Sequence, residues 1–332
     1  MKISNLGEFA FIKTVNNLFS SKLPKGVVGI GDDCAVITQK NGKALLVSTD
    51  SLVENIHFIR KKIRPEDLGY KSIAVNISDI AAMGGVPKYV WLSASLPANT
   101  DMHWLNAFLH GVAEISNSYK INLLGGDTTG SEKNIFINVT VIGEAPFAKV
   151  KFRSQAKVGD IICVTDNVGD SAFGLECISR KIKNTVSVRK LIQKHFRPKP
   201  NVAEGLFLAE FSAVHAMIDL SDGIFSDIQR IQEMSHCSAK IYLDKLPCSE
   251  EFIKVAATIN VNPFEFAVIG GEDYCLLTTI DPKQYENIAL KFLKKFKRPL
   301  SAIGVITSGQ KPTNYYLHEK SYRIHKKVFR HF

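Results

Sequence analysis

Five short segments place acidic residues among glycine, serine or threonine beside apolar runs: Gly29-Ile30-Gly31-Asp32-Asp33, Ser48-Thr49-Asp50, Gly125-Gly126-Asp127-Thr128-Thr129, Asp219-Leu220-Ser221-Asp222-Gly223 and Gly270-Gly271-Glu272-Asp273. Carboxylates and hydroxyls are hard oxygen donors, which Mg²⁺ takes together with water and substrate phosphates, and glycine lets backbone approach a ligand closely. Any one of these segments reads equally well as a β-turn. Five in one chain point to a cation and phosphate site. Standard nucleotide motifs are absent. Gly29 and Gly31 lack the third glycine of a dinucleotide fingerprint, and Gly125 and Gly130 have P-loop spacing, but Ser131 stands where the lysine belongs. A bound nucleotide would therefore be held through metals and a non-Walker loop.

A sharper pattern lies between Glu66 and Met83. Ser72, Asn76 and Asp79 fall at i, i+4 and i+7, so they share one stripe of a helix, and Ile73, Ile77, Ile80 and Ala81 supply an apolar face beside it. The segment is apolar enough to be covered on both faces, and a covered Asp79 needs a cation or donors. The alternative is a stripe that reaches solvent.

Elements that would position these residues follow from periodicity and punctuation. Gly7 to Phe19 reads as an amphipathic helix, and Lys43 to Val53 as a strand ending in polar residues. Pro65 suits the first turn of the Glu66 to Met83 helix, Glu66 and Asp67 complement its dipole, and Gly84-Gly85 stops it. Strands are expected at Tyr89 to Ser95 and Ile135 to Ile142, with a helix near Trp104 to Ser118. After Gly143 the texture changes. Strands at Ile161 to Thr165 and Ala216 to Asp219 alternate with helices near Ser171 to Arg180, Val202 to Phe211 and Ile224 to Met234. The expectation is two α/β domains, residues 1–148 and 149–332, divided between residues 145 and 155.

Composition agrees with that size. The chain has 332 residues, 45% hydrophobic and 22% charged, enough for about two domains with their own cores. No apolar run approaches the roughly 20 residues of a membrane span, and the N-terminus does not read as a signal peptide. The six cysteines are scattered without a C-x-x-C pair, which favours reduced thiols and a cytoplasmic protein over a disulfide framework. The net charge of +10 could attract phosphates or nucleic acid. Its clusters, at Arg60-Lys61-Lys62, Lys294 to Arg298 and Lys326 to Arg330, are not interleaved with a nucleic-acid motif and read as solvated surface.

In order along the chain, GIGDDCAVI (29–37), STDSLVENIHF (48–58), GYKSIAVNISDIAAMGG (69–85), GGDTTG (125–130), GDSAFGL (169–175), RPKP (197–200), DLSDGIFSDI (219–228) and GGEDYCLL (270–277) resemble the thiamine-monophosphate kinase family. That family lies in the superfamily of aminoimidazole ribonucleotide synthetase. The discriminating part is the S-T-D-x-L-V…H-F stretch with A-V-N-x-S-D-x-A-A-M-G.

The resemblance implies ATP-dependent phosphorylation of thiamine monophosphate to thiamine diphosphate. It implies an α/β (α+β) fold with an N-terminal sheet domain that forms a homodimer and a C-terminal α/β domain completing the site. It implies several Mg²⁺ ions held by Asp33, Ser48, Thr49, Asp50, Asp79 and Asp127, approached from the second domain by Asp219 and Asp222. Gly126, Asp127, Arg153 and Ser221 map to ATP, and His57, Glu272 and Phe329 to the thiamine phosphate. The acceptor is already a phosphate, so no general base is assigned. One departure stands out: Glu54 and Ile56 precede His57, where small or polar residues are expected. Two other readings remain: another ATP-dependent enzyme of the superfamily, such as a ribonucleotide synthetase, and a non-catalytic nucleotide or nucleic-acid binding module.

Overall fold

The computed structural model describes residues 7–325. Two mixed sheets organise the chain. The first has the order β1-β2-β3-β6-β4-β5 and uses β1 (Val27–Val28), β2 (Ala35–Thr38), β3 (Lys43–Val53), β4 (Val86–Pro97), β5 (Asn122–Ser131) and β6 (Phe136–Pro146). Its central pair runs in antiparallel register from Lys43↔Pro146 to Val53↔Phe136, whereas β4 and β5 are parallel. The second sheet has the order β13-β12-β9-β11-β7-β10-β8. Its strands are β7 (Ile161–Val164), β8 (Val214–Asp219), β9 (Ser238–Tyr242), β10 (Leu276–Ile280), β11 (Ser301–Thr307), β12 (Asn314–Leu317) and β13 (Lys320–Tyr322).

The helices are α1 (Glu8–Phe19), α2 (Pro65–Ala82), α3 (Met102–Tyr119), α4 (Asp170–Ser179), α5 (Val186–Phe196), α6 (Val202–Ala209), α7 (Ile224–Ser235), α8 (Glu250–Thr258), α9 (Pro263–Ile269) and α10 (Pro282–Phe296). No described helix is long and apolar enough to cross a membrane. The expected α/β class holds, and most expected elements lie within a few residues of their observed ends.

One expectation fails. Gly125 to Thr129 is not a turn but the middle of strand β5, exposed along nearly its whole length at the edge of the first sheet. A strand with neither face covered carries no apolar alternation, so its composition resembles a turn.

Helix α2 positions the site. Its start and stop follow the sequence: Pro65 opens it, Glu66 and Asp67 occupy the first turn, and Gly84 at φ 71 lets its N–H return to the Ala81 carbonyl at 2.9 Å. Leu68, Ile73, Ile77 and Ile80 are fully buried in the core of the first sheet, each such side chain worth about 1.5–3 kcal/mol of burial. In its last turn the helix also enters a second core. Ala81 and Ala82 belong to a separate cluster with Cys163, Met217, Leu276 and Ile280 of the second sheet. Gly205 on α6 sits against this end, and a Cβ there would lie 2.2 Å from the Ala81 carbonyl oxygen. The same helix is thus built into two cores.

Candidate active site

Carboxylates from three elements converge where α2 meets the second sheet. Asp33 lies in the turn before β2, Asp79 in the last turn of α2, and Asp219 ends β8; their nearest oxygens are all within 4.8 Å of one another. Hydroxyls fix two of them. Ser48 on β3 donates to Asp79 Oδ2 at 2.5 Å, and Ser78 on α2 donates to Asp219 Oδ2 on the second sheet at 2.6 Å. Strand alternation brings Asp50 to the same face as Ser48, and its backbone N–H donates to Asn76 Oδ1 at 3.0 Å. The helical stripe read from the sequence is real: Ser72 is turned back to the Gly69 carbonyl, Asn76 grips β3, and Asp79 enters the cluster.

Arg153 closes one side. Its guanidinium donates from Nη2 to Asp33 Oδ1 at 2.5 Å and from Nε to Asp33 Oδ2 at 3.2 Å, while its backbone N–H donates to Asp32 Oδ2 at 3.1 Å. On the other side Arg230 of α7 pairs with Asp222, whose backbone N–H donates to Asp227 Oδ2 at 3.2 Å. The second carboxylate oxygen of Asp227 is buried without a hydrogen-bond partner, 3.8 Å from Arg230 Nε. Asp32, Asp227 and Arg230 escaped sequence reasoning as functional residues, although all three lie in the quoted motifs or directly after them.

The electrostatics are those of a site short of positive charge. Burial, and then the charges of Asp50, Asp219 and Asp33, push Asp79 well above the carboxylate range; burial and Asp33 do the same to Asp219. Burial, followed by Asp33, raises Asp32 to about 7, and burial, followed by Asp222 and Asp33, raises Asp50 to about 6.

A second group surrounds Glu272. Burial first, and then Glu272, Asp50, Asp219 and Asp79, raise the Tyr274 phenol, which feels both the carboxylate cluster and Glu272. Glu272 Oε1 lies 2.8 Å from Lys71 Nζ, and Oε2 lies 3.2 Å from His195 Nδ1. His57 is near enough to favour the ionised Glu272, and accepts the Val53 N–H at Nδ1 at 3.0 Å. The two residues expected on the substrate side are therefore neighbours. Lys71 and His195 were missed; a lysine on an apolar helix gives no signal of where its ammonium ends. The unusual Glu54 has a structural duty. It is buried, takes Arg60 at 2.5 and 2.9 Å, and accepts the Ile135 N–H at 2.9 Å.

Other expected residues lie apart. The Thr49 hydroxyl is on the opposite face of β3 and meets the Val139 carbonyl at 3.1 Å and Thr140 Oγ1 at 3.1 Å, so its side chain does not join the cluster. Gly126 and Asp127 sit on β5, which is separated from β3 by β6 and β4. Three strand spacings, about 14 Å, keep the exposed Asp127 away from the carboxylates of this chain. Its Oδ1 accepts the Thr128 N–H at 2.9 Å. Ser221 is half-buried, and its carbonyl accepts the Glu272 N–H at 2.8 Å. Phe329 lies outside the described residues.

Two sheets joined by one helix, with a carboxylate cluster at the join, match two family profiles: AIR synthase related protein, N-terminal domain, over residues 31–145, and AIR synthase related protein, C-terminal domain, over residues 157–316. The chain is 38% identical over 330 residues to the thiamine-monophosphate kinase of Buchnera aphidicola subsp. Schizaphis graminum, covering 98% of each. It is 40% identical over 281 residues to that of Haemophilus influenzae, covering 84% of this chain and 83% of the relative. Among solved structures, the complex of AaThiL with AMPPCP and TMP superposes with a TM-score of 0.87 at 31% identity, over 100% of this chain and 99% of that one. The chain belongs to the thiamine-monophosphate kinase family.

Proposed function

We propose that the protein transfers the γ-phosphoryl group of ATP to thiamine monophosphate, giving thiamine diphosphate and ADP. The observation that carries this reading is the convergence of Asp33, Asp79 and Asp219 from both halves of a thiamine-monophosphate kinase chain. Kinship to a protein crystallised with an ATP analogue and TMP supports the two substrates.

The donor set fits Mg²⁺. Every group in it is a hard oxygen, and carboxylates that burial and mutual repulsion hold toward the protonated form are short of a countercharge that a divalent ion supplies. Asp33, Ser48, Asp50, Asp79, Asp219 and Asp222 would hold the ions; Thr49 and Asp127 stand outside this cluster. When bound, Mg²⁺ screens the repulsion between donor and acceptor phosphates and stabilises the charge that builds up during transfer.

The protein's own groups then align the reactants. An acceptor phosphate oxygen attacks the γ-phosphorus in line, the bond to the bridging oxygen breaks, and ADP leaves with that electron pair. The acceptor is ionised near neutral pH, so the site needs no general base, and positioning is the main contribution of the side chains. Arg153 locks Asp33 in place with two charge-assisted bonds. Glu272 offers a carboxylate to the cationic thiazolium, with His57 beside it. Gly126, Asp127, Arg153 and Ser221 are assigned to the nucleotide, and the division of the chain at residues 148/149 separates the two halves. The exposed edge of β5, where Leu123 and Leu124 are 45% and 55% accessible, supports a homodimer through the first sheet.

Purified protein given ATP, Mg²⁺ and thiamine monophosphate should form thiamine diphosphate, with thiamine and aminoimidazole ribonucleotide precursors as comparison acceptors. Turnover of a comparison acceptor without the monophosphate would overturn the substrate assignment.

A further inference from the structure

Lys71 is among the largest fully buried side chains in the described residues, 1% accessible. A lysine taken wholly out of water costs several kcal/mol unless its ammonium is well paired. Its Nζ ends 2.8 Å from Glu272 Oε1, reaching from α2 into a loop of the other half of the molecule. His195 on α5, itself 4% accessible, approaches the second oxygen from the opposite side, with Nδ1 3.2 Å from Oε2. The same Nδ1 lies 3.2 Å from the Ser171 hydroxyl, and the tautomer that carries its proton there turns a donor toward the Glu272 carboxylate, which only accepts.

The backbone holds Glu272 equally firmly. Its φ is 65, a left-handed conformation that costs a side-chain-bearing residue on the order of 1 kcal/mol. The Glu272 N–H donates to the Ser221 carbonyl at 2.8 Å and the Tyr274 N–H to the Leu220 carbonyl at 3.0 Å, pinning the loop on both sides. The arrangement is asymmetric. Side-chain accessibility is 1% for Lys71 and 5% for His195, but 27% for Glu272. An ion pair serving only to join the halves would gain nothing by leaving its carboxylate half open on a strained backbone. Here two hidden side chains flank a carboxylate that stays partly exposed and feels the charge of His57.

We propose that Lys71 and His195 are positioning residues that hold the Glu272 carboxylate in one orientation to receive the cationic ring of the acceptor substrate. The inference rests on the assignment of Glu272 to the thiamine phosphate. Lys71 and Glu272 cancel in net charge, so attraction for the cation depends on how the carboxylate edge is aimed. Losing the aim should weaken binding of that substrate and leave the nucleotide untouched.

Steady-state kinetics with the two substrates varied separately tests this. Lys71→Met should raise the KM for thiamine monophosphate about tenfold while the KM for ATP stays within about twofold, and Lys71→Arg should recover most of the loss. Adding Lys71→Met to Glu272→Gln should produce no further rise, because both act on one contact. His195→Phe removes a donor without stranding a charge and should raise the same KM about threefold. Retained AMPPCP binding by calorimetry shows that each variant is folded; should Lys71→Met not fold, His195→Phe decides alone. Equal rises in both KM values, or effects of Lys71 and Glu272 that add in full, would overturn the inference. Wild-type protein unable to phosphorylate thiamine monophosphate would instead overturn the functional reading itself.

Discussion

Asp79 is the residue where cost and use are most closely tied. It sits among Asp33, Asp50 and Asp219 with one hydroxyl donor, from Ser48, and burial and those like charges make its ionised form costly. Asp79→Asn removes a like charge from a crowded buried cluster, so the metal-free variant should melt no lower than the wild type. Its phosphoryl-transfer rate should nevertheless fall by about 10²- to 10³-fold. A melting curve in EDTA and an activity assay check the two halves; a variant that is destabilised and active would contradict both. Asp33, Asp79 and Asp219 were legible because glycine-flanked acids and a helical stripe mark carboxylates that need a partner. Lys71 and His195 were not, since each carries its meaning in the far end of a side chain rather than in local spacing. Asp127 was legible as an acid in a glycine-rich stretch, but its separation from the cluster depends on strand order, which spacing does not encode.

Among the elements, α2 carries the largest share of the site and is closely packed. It crosses α3 glycine to glycine: a Cβ on Gly69 would lie 2.0 Å from the Phe108 carbonyl oxygen, and one on Gly111 would lie 1.9 Å from that of Glu66. Backbone cannot yield as a flexible side chain does, so Gly69→Ala must push the helices apart. The expected cost is about 1–3 kcal/mol, or several degrees in melting temperature. Because Asp79 rides on the same helix, activity should drop as well; thermal denaturation beside the kinase assay checks both. A substitution to alanine in an ordinary helix interior would stabilise instead. The sequence announced this helix through Pro65, its acidic first turn and Gly84, and announced β3 through its apolar run. It concealed β5, because periodicity records burial and that strand is bare.

At the scale of the molecule, the two halves bring several carboxylates together where they meet. Ser78 and Asp219 are 141 residues apart in the chain, and no local pattern could have paired them. In the folded protein burial and neighbouring carboxylates raise Asp50 to about 6 and Asp32 to about 7, and push Asp79 and Asp219 well above the usual range, whereas an unfolded aspartate titrates at about 3.9. A raised folded value means stability that is present at low pH and lost as pH climbs through it. In EDTA the melting temperature should therefore rise as pH is lowered from 8 to 6.5, the several raised carboxylates outweighing buried His195, whose lowered value acts in the opposite sense near 6.5. Mg²⁺ should raise the melting temperature more at pH 8 than at pH 6.5, since it needs the ionised carboxylates. Scanning fluorimetry across this window checks the sign, and a metal-free protein that melts lower at pH 6.5 would contradict it.

The double membership of α2 also limits how the catalyst can move. A rod embedded in both masses forbids a clamshell: swinging one half away would tear Ala81 and Ala82 out of their surroundings and prise Gly205 off the rod's end. Substrates are then expected to come and go through peripheral loops around a stiff frame, with the distance between the halves almost constant through filling and emptying.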